Sequence, residues 1–256
     1  MRVVESVAGL QAARRSRGAD DCGLVPTMGA LHEGHLSLVR RARAENSEAW
    51  VSIFVNPAQF DDPRDLKSYP GTLDADLGML RGAGVDLVFL PREADIYPDG
   101  YRYRVTETEL SLKFCGAGRP GHFEGVLTIV LKLLMLARPR RAYFGEKDFQ
   151  QLRLVEGMTR AFFLDTEIVP CEPMRESDGL AMSSLNRLLE PPERERAPVL
   201  HRLLARSVTE RQSTDAVAAE LKRAGFAVEY IEDYNGRRLA AVRLGRVRLI
   251  DNVAHP

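Results

Sequence analysis

The sequence predicts an α/β protein: a doubly wound parallel-sheet domain of Rossmann-like type, followed by a smaller C-terminal α+β domain. Three observations point there. Short apolar runs alternate with longer helix-period segments through roughly the first 170 residues. Two of those runs, WVSIFV at 50–55 and VDLVFL at 85–90, are almost continuously apolar, as strands buried on both faces of a parallel sheet must be. After Pro170 the texture changes to charged, loop-rich sequence and then to alternating strands.

Taken in order, strands are expected over 23–25, 50–55, 85–90, 142–144 and 167–169, with helices over 36–44, 72–82, 126–136 and 150–162 between and after them. Thr72, with Ala75 and Asp76 behind it, reads as a helix start with an acid near the first turn. Right-handed crossovers join such strands. Beyond ESDGLAMSSLNRLLEPPERER come helices over 197–208 and 214–224 and strands over 228–231, 240–244 and 246–250. The domain boundary falls between 173 and 174. In RRLAAVRLGRVRLID, apolar residues and arginines alternate about a turn at Gly245. That pattern reads as a solvated sheet face, because neither an aromatic stacking platform nor a recognised motif accompanies the five arginines.

Composition narrows the function classes. The 256 residues are 45% hydrophobic and 28% charged, which excludes disorder and fibrous repeats. Lys+Arg and Asp+Glu are both 36, so no net charge draws the chain to nucleic acid or to a membrane surface. Only five of the basic residues are lysines, which singles each of them out. Cys22, Cys115 and Cys171 form no C-x-x-C pair, so neither a disulfide framework nor a cysteine zinc site is indicated. With no signal-like N-terminus and no window of 18 apolar residues, a cytoplasmic location is the expectation.

Three stretches carry chemistry. Val25-Pro-Thr-Met-Gly-Ala-Leu-His-Glu-Gly-His35 follows the first of the predicted strands and precedes a helix. The carboxyl end of such a strand faces the ligand crevice, glycines let backbone approach a ligand, and the helix start offers N–H groups to anions. His32 and His35, three apart around Gly34, suit charge stabilisation on a transferring phosphate. H-E-G-H is one residue short of the zinc-protease spacing, so no metal site is expected. Phe144-Gly-Glu-Lys-Asp-Phe-Gln-Gln151 again joins an apolar run to a helix; Lys147 can bind phosphate, while Asp148 can cap the helix or face a ribose or Mg²⁺, or the two can form a local ion pair. Met182-Ser-Ser-Leu-Asn186 has the look of a mobile Ser-rich loop.

Together with SIFVNPAQF at 52–60, YPGT at 69–72, RPGHF at 119–123, DGLAMSSLN at 178–186 and LIDN at 249–252, these stretches resemble the pantoate–β-alanine ligases. The resemblance runs in order from about residue 20 to 190. It implies the H-x-G-H nucleotidyltransferase superfamily, a homodimer, and ATP with Mg²⁺ as cofactors. It also implies a two-step reaction in which pantoate and ATP give pantoyl adenylate, and β-alanine then displaces AMP. Carried over by position, Met28, Gly29, Ala30, Leu31, His32, Glu33, Gly34 and His35 would line the ATP phosphates, with His35 the proton donor and His32 beside it. Gly145, Glu146, Lys147 and Asp148 would hold the nucleotide, with Lys147 on phosphate. Met174 would touch adenine through its backbone, and Met182, Ser183, Ser184 and Leu185 would close over the triphosphate. Gln59 would hold pantoate and β-alanine, and Gln151 pantoate. The implied partners are these small molecules, with no nucleic acid and no membrane.

Three positions or regions depart from the family pattern. Leu185 stands where an Arg is usual, Gly71 where Y-P-R-T has its Arg, and the chain after 190 is short. Arg175 and Arg187 are candidates to replace the missing guanidinium. Alternative readings are a paralogous adenylate-forming amide ligase with another acid and amine, and a catalytically weakened binding homologue.

Overall fold

In the computed structural model, which describes residues 1–17 and 21–255, the apolar runs assemble into a six-stranded, all-parallel sheet. Its elements are β1 (Arg2–Val4), α1 (Val7–Arg17), β2 (Cys22–Thr27), α2 (Glu33–Glu45), β3 (Glu48–Ile53), α3 (Pro63–Ser68), α4 (Leu73–Gly82), β4 (Leu87–Phe89), α5 (Glu93–Ile96), α6 (His122–Ala137), β5 (Arg141–Gly145), α7 (Phe149–Ala161) and β6 (Glu167–Cys171). The strand order is β1-β4-β3-β2-β5-β6. The chain therefore winds outward from β2 in one direction and from β5 in the other, and the switch point lies between those two strands.

Burial on both faces follows from the strand composition. Neighbouring residues Trp50 and Val51 on β3 are both buried. On one face Val25, Val51, Val88 and Tyr143 pack with Val39 and Ala42 of α2 and Leu80 of α4. Pro26 sits inside β2 without an N–H to give. The pairing of β2 with β5 stops at Leu24, whereas its pairing with β3 runs on to Thr27. The two central strands thus part company just where the segment 28–35 leaves the sheet. Sequence patterning does not reveal β1 or α1: the strand is three residues long on a sheet edge and exposes Val3. The short helices α3 and α5 are likewise below what periodicity can detect.

The remaining elements are α8 (Pro191–Arg196), α9 (Val199–Thr209), α10 (Thr214–Arg223), β7 (Ala227–Tyr234), β8 (Arg237–Leu244) and β9 (Val247–Ala254), the last three forming an antiparallel sheet in the order β7-β8-β9. The helix expected over 197–208 starts later, after Pro198 at its N-terminal boundary. Asn235 and Gly236, both at positive φ, make the first hairpin turn, and Gly245 at φ 56° makes the second. Leu200, Leu204, Val217 and Leu221 pack on Ala240, Val242 and Leu249. The arginine-bearing face is only partly solvated. Arg243 and Arg248 pair with Glu229 near the surface, but Arg238 is 2% exposed. It donates to both oxygens of Asp233 (2.7 and 2.9 Å), to Ser207 Oγ (2.9 Å) and to the Gln212 carbonyl (2.9 Å). A buried guanidinium needs such a full set of acceptors, and alternation alone cannot distinguish it from an exposed one.

The chain forms two compact units: Met1–Glu146 with Gln150–Cys171, and Lys147–Phe149 with the chain from Glu172 onward. Among the described residues no helix is long and apolar enough to cross a membrane.

Candidate active site

In the first unit, the segment leaving β2 is held open by hydrogen bonds to its own backbone. Thr27 Oγ1 donates to the Ser52 carbonyl (2.8 Å) and accepts from Gly29 N (3.2 Å). Gly29 (φ 80°) and Ala30 (φ 50°) both adopt left-handed backbone. This turn is stapled by Asp76, a buried residue of α4 whose two oxygens accept from Ala30 N and Leu31 N at 2.9 Å each, with Thr72 Oγ1 donating beside them. Ala30 and Leu31 are buried, and their amides are the ones Asp76 takes up. A side chain at Gly29 would place its Cβ 3.1 Å from Asp76 Oδ2.

From that turn α2 begins, and the histidine rings meet with centroids 4.0 Å apart and planes tilted by 40°. The His32 backbone N–H donates to His35 Nδ1 at 3.4 Å. A ring nitrogen that accepts carries no proton, so in the neutral ring the proton lies on Nε2. Glu33, exposed in the first turn, pairs with Arg40 along the helix. Gly34 O accepts from Ser37 Oγ (2.7 Å).

Gln59 lies in a 3₁₀ turn (Pro57–Gln59) beyond β3, with Nε2 donating to Met28 Sδ at 3.1 Å. Its carbonyl accepts from His122 Nδ1 (2.8 Å), while Arg119 Nη1 lies 3.1 Å from His122 Nε2. Arg donates only, so the His122 tautomer is Nδ1–H, and the RPGHF motif acts here as a bracket on the Gln59 backbone. Arg119 also pairs with Asp61 (3.0 Å). Burial works against the Asp61 charge and is the largest single influence, but the Arg119 hydrogen bond, a backbone hydrogen bond and the Arg119 charge together outweigh it and hold the carboxyl below its ordinary value. Gly125 of α6 permits this packing, since a Cβ there would come within 2.3 Å of the Ala58 carbonyl oxygen. Gln151 is half-buried in the first turn of α7, and its neighbour Gln150 ties down 110–115 by accepting from Cys115 N and donating to Leu110 O and Lys113 O. Gly145 and Glu146, both half-buried, leave the carboxyl end of β5, next to β2.

In the second unit, Lys147 and Asp148 form an ion pair at 3.7 Å, and the Lys147 carbonyl accepts from Asn252 Nδ2 (3.1 Å). Segment 174–186 is more firmly built than its composition predicts. Arg175 and Ala181 bridge as an antiparallel pair, and Met182 N donates to Met174 O (2.9 Å). Arg194 pairs with Glu176 and Asp178, and buried Asn186 donates to Glu176 and to Ala181 O. Ser183 caps a 3₁₀ turn (Ser184–Leu188), accepting from Leu185 N. Leu185 packs against the unit's apolar core. Arg175 makes a two-pronged pair with buried Asp251 (2.8 and 2.9 Å), so its guanidinium is already engaged; Arg187 is exposed. Burial opposes the Asp251 charge, yet donation from His201 and Arg175 holds its carboxyl below the ordinary value.

A family profile for pantoate–β-alanine ligase matches residues 2–254. The chain belongs to the pantoate–β-alanine ligase family. Membership makes it a ligase. It is 51% identical over 252 residues to a pantothenate synthetase of Bdellovibrio bacteriovorus, covering 98% of each chain. Among solved structures, a pantothenate synthetase of Thermus thermophilus matches with a TM-score of 0.92 at 42% identity, over the full length of both chains. The pantoate–β-alanine ligase of Francisella tularensis, complexed with β-γ ATP and β-alanine, matches with a TM-score of 0.91 at 39% identity, covering 99% of this chain and 97% of that one.

Residue-level reading of the sequence missed Asp76, Arg119, His122 and Gly125 as members of the site's framework. Asp76 carried a signal, a carboxylate one turn into a helix, but that pattern equally fits an ordinary dipole contact. Among the described residues no cluster of three or more His, Cys, Asp or Glu is placed to hold a metal ion.

Proposed function

We propose that the chain joins pantoate to β-alanine in two steps driven by ATP, with Mg²⁺ arriving on the nucleotide. The pantoate carboxylate attacks the α-phosphorus of ATP and breaks the α–β anhydride bond, giving pantoyl adenylate and pyrophosphate. The β-alanine amine then attacks the acyl carbon; AMP leaves, the amine loses a proton, and pantothenate forms. No protein nucleophile is needed. The observation that carries the reading is the carboxyl end of β2, where the His32–His35 ring pair opens α2 and the Gln59 amide reaches Met28.

In this reading His35 presents Nε2–H to developing charge on the α-phosphate, with His32 beside it, and one such donor accounts for about 10²–10³ in rate. Gln59 and Gln151 bind the acid through amides, whose hydrogen bonding does not change with pH, and Gln59 also takes β-alanine. Segment 28–35, Gly145 to Asp148, Met174 and 182–185 serve ATP, with Lys147 as a point charge on phosphate. The reading assigns catalysis to a domain over 1–173 and a lid role to a smaller domain over 174–256. The working form is a cytoplasmic homodimer with small-molecule partners alone.

Labelled pyrophosphate should exchange into ATP when pantoate is present and β-alanine absent. Mass spectrometry should then detect pantothenate once the amine is added, with other acids and amines run in parallel. Exchange that needs the amine would overturn the adenylate route, and preference for another acid would reassign the substrate. His35→Ala should slow exchange by about 10²–10³-fold.

A further inference from the structure

Gln59 can face a substrate in two ways, as an N–H donor or as a carbonyl acceptor, and its surroundings select one. Asn56 is buried at 1% exposure next to it. Its Nδ2 lies 3.1 Å from the Gly125 carbonyl, which can only accept, so the NH₂ end must face α6. That orientation turns Oδ1 toward the Tyr97 hydroxyl, 2.7 Å away, and makes Tyr97 the donor. The second Asn56 amide proton goes to Gln59 Oε1 at 3.0 Å. A flipped Gln59 would set one NH₂ against another. Gln59 therefore turns its oxygen inward and its NH₂ outward, toward Met28 Sδ.

Tyr97 is itself fixed. Its ring stacks on Tyr101 at 4.0 Å with a 28° tilt, and Lys132 Nζ sits 4.3 Å from the ring centroid while donating to the Ile96 carbonyl (2.7 Å). Burial raises the hydroxyl's pKa above its ordinary value, which keeps it protonated and able to donate.

We infer that Tyr97 is a positioning residue: its hydroxyl holds the Asn56 oxygen and so, together with the Gly125 carbonyl, keeps Asn56 in the sense that turns the Gln59 amide oxygen inward, making Gln59 a donor-only contact selective for an acid's acceptor oxygens. The inference rests on the proposed role of Gln59 in holding the acid.

Tyr97→Phe removes one hydroxyl and leaves the ring stack. The KM for pantoate should rise roughly 3- to 10-fold, the range of one neutral hydrogen bond, while the KM for ATP stays within about twofold. In a Gln59→Ala background the same change should leave pantoate binding, measured by calorimetry, unaltered, whereas a merely structural role would weaken it equally with and without Gln59. A readout that uses no substrate separates this inference from the assignment of pantoate: without the hydroxyl that holds Oδ1, Asn56 can turn its NH₂ away from the Gly125 carbonyl and Gln59 Oε1, so hydrogen exchange of that NH₂ in ¹⁵N-labelled protein should be faster in Tyr97→Phe than in the wild type. Unchanged exchange, an unchanged pantoate KM in a folded variant, or equal losses in both backgrounds would overturn the relay. If wild-type protein failed to use pantoate but the exchange difference appeared, the relay would stand and only the acid would need reassignment.

Discussion

Replacing Asp76 by Asn tests whether the turn after β2 is held by one carboxylate. The substitution preserves shape and removes charge and one acceptor. In the wild type, two oxygens serve two backbone amides at 2.9 Å and the Thr72 hydroxyl, at a residue with 1% exposure. An amide has one oxygen, so either Ala30 N–H or Leu31 N–H must face an NH₂ group. A charge-assisted bond contributes about 1.5–3 kcal/mol, and an unpaired buried N–H costs about 1–3 kcal/mol. Allowing for partial relaxation, the loss is about 2–4 kcal/mol, or roughly 5–15 °C in melting temperature for a unit of this size.

The consequence for activity runs through geometry. Ala30 is held at φ 50°, a conformation that costs a non-glycine residue on the order of 1 kcal/mol and persists while its surroundings enforce it. Released, the turn relaxes and moves the start of α2, with both histidine rings. A displacement of about 1 Å costs on the order of 10² in rate. Calorimetry and acid-dependent pyrophosphate exchange on Asp76→Asn should show both losses. A stability change below about 0.5 kcal/mol, with exchange within about twofold of wild type, would refute the assignment of Asp76 as the staple.

Gly125→Ala should reduce acid-dependent exchange by about 10²-fold, because its Cβ would meet the Ala58 carbonyl oxygen at 2.3 Å and Gln59 N at 2.6 Å, backbone atoms that no rotamer change can move aside. Near-wild-type exchange would show that the turn can shift freely. Asp251 has a folded-state pKa below its ordinary 3.8, so its stabilisation is complete above that value and fades as pH falls further. The gap in denaturant midpoint between wild type and Asp251→Asn should therefore be full at neutral pH and narrow as pH falls below 3.8; a gap independent of pH would disprove the coupling. Leu185→Arg should lower thermal stability by about 1–2 kcal/mol, since the wild-type side chain packs on the core of its unit, and should raise kcat/KM for ATP by less than about threefold. A gain of about tenfold would show instead that the loop lacks a phosphate contact which an arginine can restore.

The fold was legible because burial on both faces of a parallel sheet leaves a coarse mark. WVSIFV and VDLVFL could lie almost nowhere else, and α2, α4, α6 and α7 each carry helical periodicity. What escaped was short or bounded by long-range pairing. β1 owes its existence to β4, which is more than 80 residues away along the chain. Arg238 alternates in sequence like its exposed neighbours, yet its acceptors come from α9, from the loop after it and from Asp233. No local pattern encodes those partners.

The site divides along the same line. Residues that would meet ligands stand in compact motifs, so the H-x-G-H and G-E-K-D segments can be picked out as candidates from type and spacing, and the resemblance supplies their proposed roles. The residues that aim them are scattered: Asp76 comes from α4, Tyr97 from beyond α5, and Gly125 from α6. Each acts through a few bonds or a single absent methyl, and each is of a type with a common structural use. A carboxylate near a helix start, a buried tyrosine and a helical glycine acquire meaning only when their partners are known. For the same reason the departure at Leu185 cannot be judged from the loop alone. Arg175, which stands close enough in sequence to compensate, is already bonded to Asp251, and the leucine, half-buried, packs against the core of its unit.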